Sequence, residues 1–326
     1  RKMKKMFSIV AMVVVMGVLV VSFTATKPIS TAAALGEKLF FDTILSKDYS
    51  ISCASCHIPK FGFADTAAFS IGIHGVPTQR NTPSVLNMAF RPHFFWDGRA
   101  ASLEEQALMP ITNPNEMGLP IEEAVSRLNK NATYKKLFLK IFKEIPSSKN
   151  LGLAIAAFEK TLETGHSKFD WAFDDKATLT ASEERGRQLF VGEKAKCFDC
   201  HSGDDFTDDN FKNIGLYDGY ELNDRGRFEI TKDSSDLGKF KTPGLRNIAI
   251  TAPYMHDGRF KTLEEVVEYY NNPTAFISNP INIDEALAVP LGLSKQQKQD
   301  LVAFMKTLTD RRYSKLLPIA KPKKKK

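Results

Sequence analysis

Apolar side chains recur every three or four residues over several segments of the chain, which is the pattern of amphipathic helices. The segments with the most regular spacing are 121–142, 151–162 and 293–308. Ser294 is a suitable N-cap for the last of them, and Thr262 and Ser102 each precede a Leu-Glu-Glu sequence in the capping-box pattern. Residues 72–83 and 113–120 are rich in Gly, Pro and Asn, which predicts long loops. The pattern as a whole predicts a mostly α fold.

The two ends of the chain differ in charge from everything between them. Residues 1–28 carry five basic side chains, no acid and an apolar run over 6–21, which predicts a signal peptide or an N-terminal anchor. The run has no clear cleavage site after it and is short for a membrane-spanning helix. A basic tail at 319–326 carries five more lysines. Removing these ten positive charges from the formal net charge of +7 leaves −3 for residues 29–320, so the overall basicity does not indicate binding to nucleic acid.

Two Cys-x-x-Cys-His motifs use all four cysteines of the chain. The motifs are Cys53, Cys56 and His57, and Cys197, Cys200 and His201. Such a motif attaches c-type haem: the two thiols bond to the vinyl groups of one haem, and the adjacent His becomes a ligand of its iron. A zinc site built from four cysteines would not need both histidines, and a thioredoxin-like motif needs a βαβ context and no following His. The motifs therefore predict two covalently bound c-type haems in a protein that is exported to the periplasm.

The sequences around the two motifs repeat. Residues 82–105 align with 242–265 at a constant offset of 160 without gaps, and ten of the 24 positions are identical. Trp96 of the first copy corresponds to His256 of the second, so the copies share a scaffold but not a chemistry. A Gly-x-x-Leu-Phe sequence also precedes each motif, at residues 36–40 and 186–190.

With these features the chain resembles the bacterial dihaem cytochrome c peroxidase family, which includes the MauG enzymes. Besides the haem motifs, the resemblance rests on Arg-Asn-Thr-Pro at 80–83, Phe-Trp-Asp-Gly-Arg at 95–99, Glu-Met-Gly at 116–118 and Thr-Ala-Pro-Tyr-Met-His-Asp-Gly at 251–258. It covers about residues 36–315. It implies two tandem cytochrome c-like domains related by internal duplication: a peroxidatic domain over 36–178 and an electron-transfer domain over 179–318. His57 and His201 would be the proximal iron ligands, and a homodimer is common in the family.

The resemblance also assigns residues around the first haem. Glu116 would be the catalytic carboxylate, which takes a proton from the near oxygen of peroxide and delivers one to the far oxygen. Gln106 would orient peroxide, and Trp96 would lie between the haems and shorten the electron path. His74 would be a distal iron ligand that leaves on reduction. By residue type alone, Glu116 is a solvated loop acid, Trp96 a packed aromatic and His74 a surface histidine.

A calcium site between the two domains is a further implication of the resemblance. Asn81 would contribute its side-chain oxygen, and Thr251 and Pro253 would contribute backbone carbonyls. Such oxygen ligands suit a hard cation. His256 would then lie near the edge of the second haem, whereas His93 and His166 are ordinary structural or surface histidines.

The chain departs from the common peroxidases of this family at one ligand position. Many of them have a Met there as the second axial ligand of the C-terminal haem, 14 residues after the His of the Tyr-Met-His-Asp-Gly sequence. Here that position is Tyr270, as in MauG and its relatives. A thioether keeps the iron potential high, whereas a phenolate favours higher oxidation states. Met255 is an alternative ligand, and a core position on the helix that follows Thr262 is an alternative role for Tyr270.

Two enzymatic functions follow from the resemblance. The first is reduction of hydrogen peroxide to water with electrons from a small c-type cytochrome or a cupredoxin. The alternative is a MauG-like oxidation of residues on a partner protein through a high-valent dihaem state, which Tyr270 favours. A plain dihaem electron carrier is a third possibility, but it would need neither Glu116 nor Gln106.

Overall fold

The computed structural model describes residues 29–313, so the predicted signal segment and the basic tail lie outside the described residues. The described part is mostly helical. Its helices are α1 Ala32–Phe41, α2 Cys53–Cys56, α3 Leu103–Gln106, α4 Met109–Thr112, α5 Ile121–Lys130, α6 Ala132–Phe142, α7 Ser148–Glu159, α8 Lys168–Phe173, α9 Ala181–Val191, α10 Phe228–Thr231, α11 Leu263–Asn271 and α12 Lys295–Lys306. The strands β1 Phe211–Lys212 and β2 Phe240–Lys241 form an antiparallel pair. Within residues 29–313, no helix combines the length and hydropathy that a membrane crossing requires.

Two helix pairs organise the two hydrophobic cores. In the first core, α1 crosses α7 so closely that a Cβ on Gly36 would lie 1.8 Å from the carbonyl oxygen of Ala154. In the second core, α9 crosses α12 in the same way, and a Cβ on Gly186 would lie 1.9 Å from the carbonyl oxygen of Asp300. Only glycine allows backbones to approach this closely, so the Gly of each Gly-x-x-Leu-Phe sequence marks a helix crossing.

Residues that lie 160 positions apart in the sequence, and so correspond between the two copies, adopt similar backbone conformations. Isolated β-bridges join Phe94 to Ala100 in the first part and Tyr254 to Phe260 in the second. Asn87 and Asn247 both adopt left-handed backbone conformations, with φ of 58° and 65°. The side chains of both asparagines hydrogen-bond to Thr164, which lies between the two copies in the sequence. The aligned residues thus form similar turns, with one shared threonine between them.

Ion pairs join the first half of the chain to the second. Arg80 forms two hydrogen bonds with Asp224, of 2.7 and 2.8 Å, and a third with Asp97, of 2.6 Å. Arg91 pairs with Asp205 and, at 2.7 Å, with Asp209. Because Arg80 and Arg91 are largely buried, their contacts, of which Arg80–Asp224 is bidentate, fix geometry better than exposed pairs would.

The predicted helices are confirmed with one difference. Ser294 caps α12 and Thr262 caps α11, each with a full capping box, and Ser102 accepts a hydrogen bond from the backbone of Glu105. The segment 121–142, however, forms two helices rather than one. The first helix ends before Asn131. The side chain of Asn131 accepts hydrogen bonds from amides in the first turn of α6 and so caps a new helix. Residues 72–83 and 113–120 are loops, as expected, with a short 3₁₀ turn in the first.

Candidate functional site

The first haem motif forms a single helical turn. Ser52 caps α2, and the side chain of Ser55 reaches back to the Ser52 amide, which fixes Cys53 and Cys56 on the turn. Both thiols are free of disulfides. His57 ends the turn, and its ring Nδ1 lies 3.2 Å from the carbonyl oxygen of Phe63. A hydrogen bond to this carbonyl places the ring proton on Nδ1 and leaves Nε2 available to a metal.

The second motif repeats this arrangement with a 3₁₀ turn. The turn runs over Cys197–Asp199, and Cys200 follows it. The ring Nδ1 of His201 lies 3.0 Å from the carbonyl oxygen of Phe206. Burial lowers the pKa of both His57 and His201, which favours the neutral imidazole that ligates metals. The paired free thiols and the orientation of both imidazoles therefore fit covalent c-type haem at each motif.

A cavity of about 580 Å³ opens beside the first motif. Its walls include side chains from both halves of the chain, among them Cys56, His57 and Lys241. The predicted residues that line it are Glu116, Gln106, Trp96 and Asn81. The structure thus brings three side chains with predicted catalytic roles together around one cavity.

The carboxyl group of Glu116 is held in a partly buried position. Asn113 donates a hydrogen bond of 2.9 Å to one of its oxygens, and the amide of Ile73 donates to its backbone carbonyl. Burial raises the pKa of Glu116, while the charge of Arg99 and the bond from Asn113 oppose that rise. Glu116 is close enough to Cys56 to raise the pKa of that thiol as well. A partly buried carboxyl group with a raised pKa can accept and donate protons in the cavity.

Trp96 contacts both halves of the chain. Its indole nitrogen donates a hydrogen bond of 2.8 Å to the carbonyl of Asn81, and its own carbonyl accepts one of 2.7 Å from the amide of Lys241. Lys241 belongs to β2, which follows the second haem motif. The indole is therefore held by the first half of the chain, and the backbone of Trp96 is bonded to the second half.

Tyr270 lies close to the second haem motif. Burial raises its pKa, and the neighbouring Tyr269, Cys200 and Cys197 raise it further. The hydroxyl of Tyr269 is bonded to the carbonyl of Ile214 at 2.6 Å, whereas the hydroxyl of Tyr270 forms no hydrogen bond with any residue of 29–313. Met255 contacts the same apolar cluster as Tyr270. Both candidate iron ligands therefore pack against one apolar cluster, and Tyr270 lies beside the cysteines of the second motif.

The candidate calcium ligands lie on segments that touch. The amide of Asn81 donates a hydrogen bond of 2.7 Å to the carbonyl of His256, and its side-chain nitrogen donates to the carbonyls of residues 67 and 68. Its side-chain oxygen accepts no hydrogen bond from any residue of 29–313. The backbone carbonyls of Thr251 and Pro253 accept no hydrogen bond within residues 29–313, although Pro253 is buried. Free oxygens of this kind fit a hard cation.

The remaining histidines differ in environment. His74 is exposed, has a φ of 60° and does not line the cavity, so the structure does not bring it to the first haem motif. His256 is buried and stacks on Phe240 with ring centres 3.7 Å apart; burial lowers its pKa to about 4. His93 packs against Phe211, and the backbone of His166 pairs with Asp310 and Arg311.

Sequence reasoning missed one cavity residue, Glu159. This last residue of α7 is only 4% exposed, and its Oε2 atom is buried without a hydrogen-bond partner among the described residues. It lines the same cavity, and its charge contributes to the raised pKa of Cys53. The available signal was an acid within the apolar segment 151–162, on the mostly apolar buried face of α7.

Comparisons with known proteins agree with this geometry. The sequence profile described as di-haem cytochrome c peroxidase matches residues 30–178. The chain is 41% identical to the methylamine utilization protein MauG of Methylorubrum extorquens, over 84% of this chain and 77% of that protein. It is 37% identical to the cytochrome c551 peroxidase of Nitrosomonas europaea, over 89% of this chain and 83% of that protein.

A solved structure shows the same fold. The diheme peroxidase BthA from Burkholderia thailandensis superposes with a TM-score of 0.80 at 27% identity, covering 89% of this chain and 88% of that one. A MauG-like protein associated with microbial copper homeostasis gives 0.78 at 36% identity, covering 86% and 89%. With its two haem motifs and its cavity, the chain belongs to the di-haem cytochrome c peroxidase family, whose members carry two c-type haems.

Proposed function

We propose that this protein reduces hydrogen peroxide to water at the first haem motif, with electrons that enter through the second. The observation that carries the proposal is the convergence of Glu116, Gln106 and Trp96 on the cavity beside Cys56 and His57. A plain electron carrier would need a cavity for the haem but not an acid held inside it. Haem, when bound, supplies the iron to which peroxide binds and through which electrons pass.

The side chains around the cavity have distinct tasks in this proposal. Glu116 removes a proton from the near oxygen of peroxide and returns it to the far oxygen, since Asn113 holds only one of its carboxylate oxygens. Gln106, at the end of α3, orients peroxide by hydrogen bonding. His57 and His201 hold the two irons. His74 is exposed and does not line the cavity, and its role as a distal ligand stays a prediction.

Replacing Trp96 with Phe should slow electron transfer between the two sites by an order of magnitude or more while leaving haem attachment unchanged. Phe retains the aromatic packing but loses the hydrogen bond to Asn81 and is harder to oxidise than the indole. Rapid-mixing spectroscopy would follow electron movement from the reduced second haem after peroxide is added. Trp171, which lies on α8 and not on the cavity wall, offers a matched control as Trp171→Phe. Equal rates for both variants would remove Trp96 from the electron path.

The proposal extends to a calcium ion between Asn81, Thr251 and Pro253. Calcium should bind the holoprotein measurably by titration calorimetry, and Asn81→Ala should weaken that binding by at least tenfold because it removes the free side-chain oxygen. A control is Asn282→Ala, which removes an exposed amide elsewhere. If calcium failed to bind the wild-type holoprotein, this part of the proposal would be wrong.

We also infer the organisation and location of the protein. The matched turns and the two glycine crossings support an origin by internal duplication, with haem domains over 36–178 and 179–318. Covalent haem attachment supports a periplasmic location, which fractionation of expressing cells would test. A homodimer remains a prediction that sedimentation of the holoprotein would check.

The steady-state test uses reduced small c-type cytochrome and reduced cupredoxin as separate donors. We expect the holoprotein to oxidise one of them in a peroxide-dependent, saturable reaction. Neither donor being oxidised would overturn the peroxidase proposal.

A second candidate function is oxidation of residues on a partner protein. The position of Tyr270 beside Cys197 and Cys200 favours it, because a phenolate ligand would stabilise oxidised iron at the second site. Peroxide-dependent modification of a partner protein, detected by mass spectrometry in the absence of donor turnover, would select this function.

A further inference from the structure

Glu159 is an acid that the proposed peroxide chemistry does not use. Its side chain is buried on the wall of the cavity, and Oε2 has no hydrogen-bond partner within residues 29–313. It lies on α7, whereas Glu116 lies in the loop 113–120. Burying an unpaired carboxyl group is costly, and nothing in the described contacts compensates for it. Such a group in a cofactor cavity indicates a functional role.

Helix packing does not require an acid at this position. The crossing of α1 and α7 brings Gly36 against Ala154 and Phe158, and the crossing of α9 and α12 brings Gly186 against Asp300 and Phe304. The residue that follows the phenylalanine is Glu159 in the first pair and Met305 in the second. Met305 is also buried. The second helix pair therefore forms the same crossing with an apolar side chain, and the acid is particular to the first site.

The electrostatic surroundings of Glu159 are simple. Burial raises its pKa to about 8. The titratable side chains on the helices packed against α7 are Glu37 and Lys38 of α1, Glu104 and Glu105 of α3, and Glu122, Glu123, Arg127 and Lys130 of α5. The thiols of Cys53 and Cys56 line the same cavity as Glu159. The charge of Glu159 contributes to the raised pKa of Cys53, and haem attachment would convert that thiol to an uncharged thioether. Glu104 is paired with Lys160, and Glu123 with Arg127.

We propose that at alkaline pH Glu159 takes up one proton when the haem at Cys53 and Cys56 accepts one electron. An added electron places negative charge beside a buried carboxylate in a region of low dielectric, which strengthens its affinity for a proton. The step balances: one electron from the donor reduces ferric iron to ferrous iron, and one proton from solvent converts the Glu159 carboxylate to the carboxylic acid. The inference rests on haem attachment at the first motif, which the proposed function also needs.

The direction of the pH dependence follows from this coupling. At low pH Glu159 is protonated in both redox states, and the midpoint potential of the first haem does not change with pH. Between the pKa of the oxidised protein and the higher pKa of the reduced protein, the potential falls as the pH rises. A tenfold change in the reduction equilibrium per pH unit corresponds to a slope of up to ~59 mV.

The test is a potentiometric titration of the first haem of the holoprotein at a series of pH values on both sides of the pKa of Glu159. We expect the midpoint potential of the first haem of wild type to fall with rising pH. In Glu159→Gln and Glu159→Met this slope should disappear. At alkaline pH both variants should keep a higher midpoint potential than wild type. The Met variant carries the residue of the second helix pair at this position. Glu104→Gln is the control, since it makes the same change at the ion pair next to α7. A slope unchanged in both Glu159 variants would overturn the inference.

Two further readouts keep the test decisive. Haem content, from the pyridine haemochrome spectrum, reports whether the cofactor is attached; its absence would refute the proposed function rather than the proton coupling. If both variants fail to fold, redox-difference infrared spectroscopy of wild type at a pH above that pKa replaces them. Reduction should then produce the carbonyl band of a protonated buried carboxyl group, and a spectrum without this band would refute the coupling.

Discussion

Glu116→Gln should lower the rate of peroxide reduction by roughly 10²- to 10⁴-fold, the range that a positioned general acid-base group contributes. Glutamine keeps the shape of the side chain and can retain the contact with Asn113, but it cannot accept a proton from peroxide. The loss should fall on the chemical step, so haem content and the spectrum of the second haem should match wild type. Initial rates of donor oxidation at saturating peroxide would measure the effect.

The matched control for this prediction is Glu122→Gln, which makes the same change on the exposed face of α5. It should leave the rate unchanged. Since burial raises the pKa of Glu116 and the proton-accepting form is the carboxylate, the wild-type rate should rise with pH through that raised pKa. Turnover by Glu116→Gln at the wild-type rate would show that another group handles the proton.

Tyr270→Met should raise the potential of the second haem by an amount on the order of a few hundred mV, because exchanging an axial phenolate for a thioether is among the strongest changes a protein can make to a haem. The low-spin absorption spectrum should change with it. The raised potential should also reduce the ability of the protein to hold oxidising equivalents at the second site, and so favour donor turnover over partner oxidation. Potentiometric titration with optical detection would measure the shift.

Met255→Leu separates the two candidate ligands. If Tyr270 is the ligand, the Leu variant should keep the wild-type spectrum and potential, since Met255 would then contribute only apolar contacts. If Met255 is the ligand, that variant should change instead, and Tyr270→Met should have little effect. The second pattern would withdraw the assignment of Tyr270.

Interactions between residues that are close in the sequence made much of the secondary structure and both haem motifs predictable. The haem motifs, the capping boxes at Thr262 and Ser294 and the loop positions depend on neighbouring residues, and all of them appear in the structure. The break at Asn131 was not predicted, because apolar spacing continues across it while a local cap competes with the helix. Periodicity alone does not show which of these two effects prevails.

The residues of the candidate functional site could not be predicted from such local interactions. Glu116, Gln106 and Trp96 were found through resemblance to a family, since an acid in a loop has no signal of its own in the sequence. Glu159 was missed because its importance comes from burial, which a pattern of residues does not report. His74 is the opposite case. Its position in a glycine-flanked loop was compatible with ligation of the first haem iron, yet its side chain is exposed in the structure.

The most direct test of the central claim is the ratio of donor oxidised to peroxide consumed by the holoprotein. Reduction of hydrogen peroxide to water takes two electrons, so we predict two molecules of a one-electron donor oxidised for each peroxide, with no release of oxygen. Peroxide consumed without stoichiometric oxidation of either a c-type cytochrome or a cupredoxin would contradict a peroxidase.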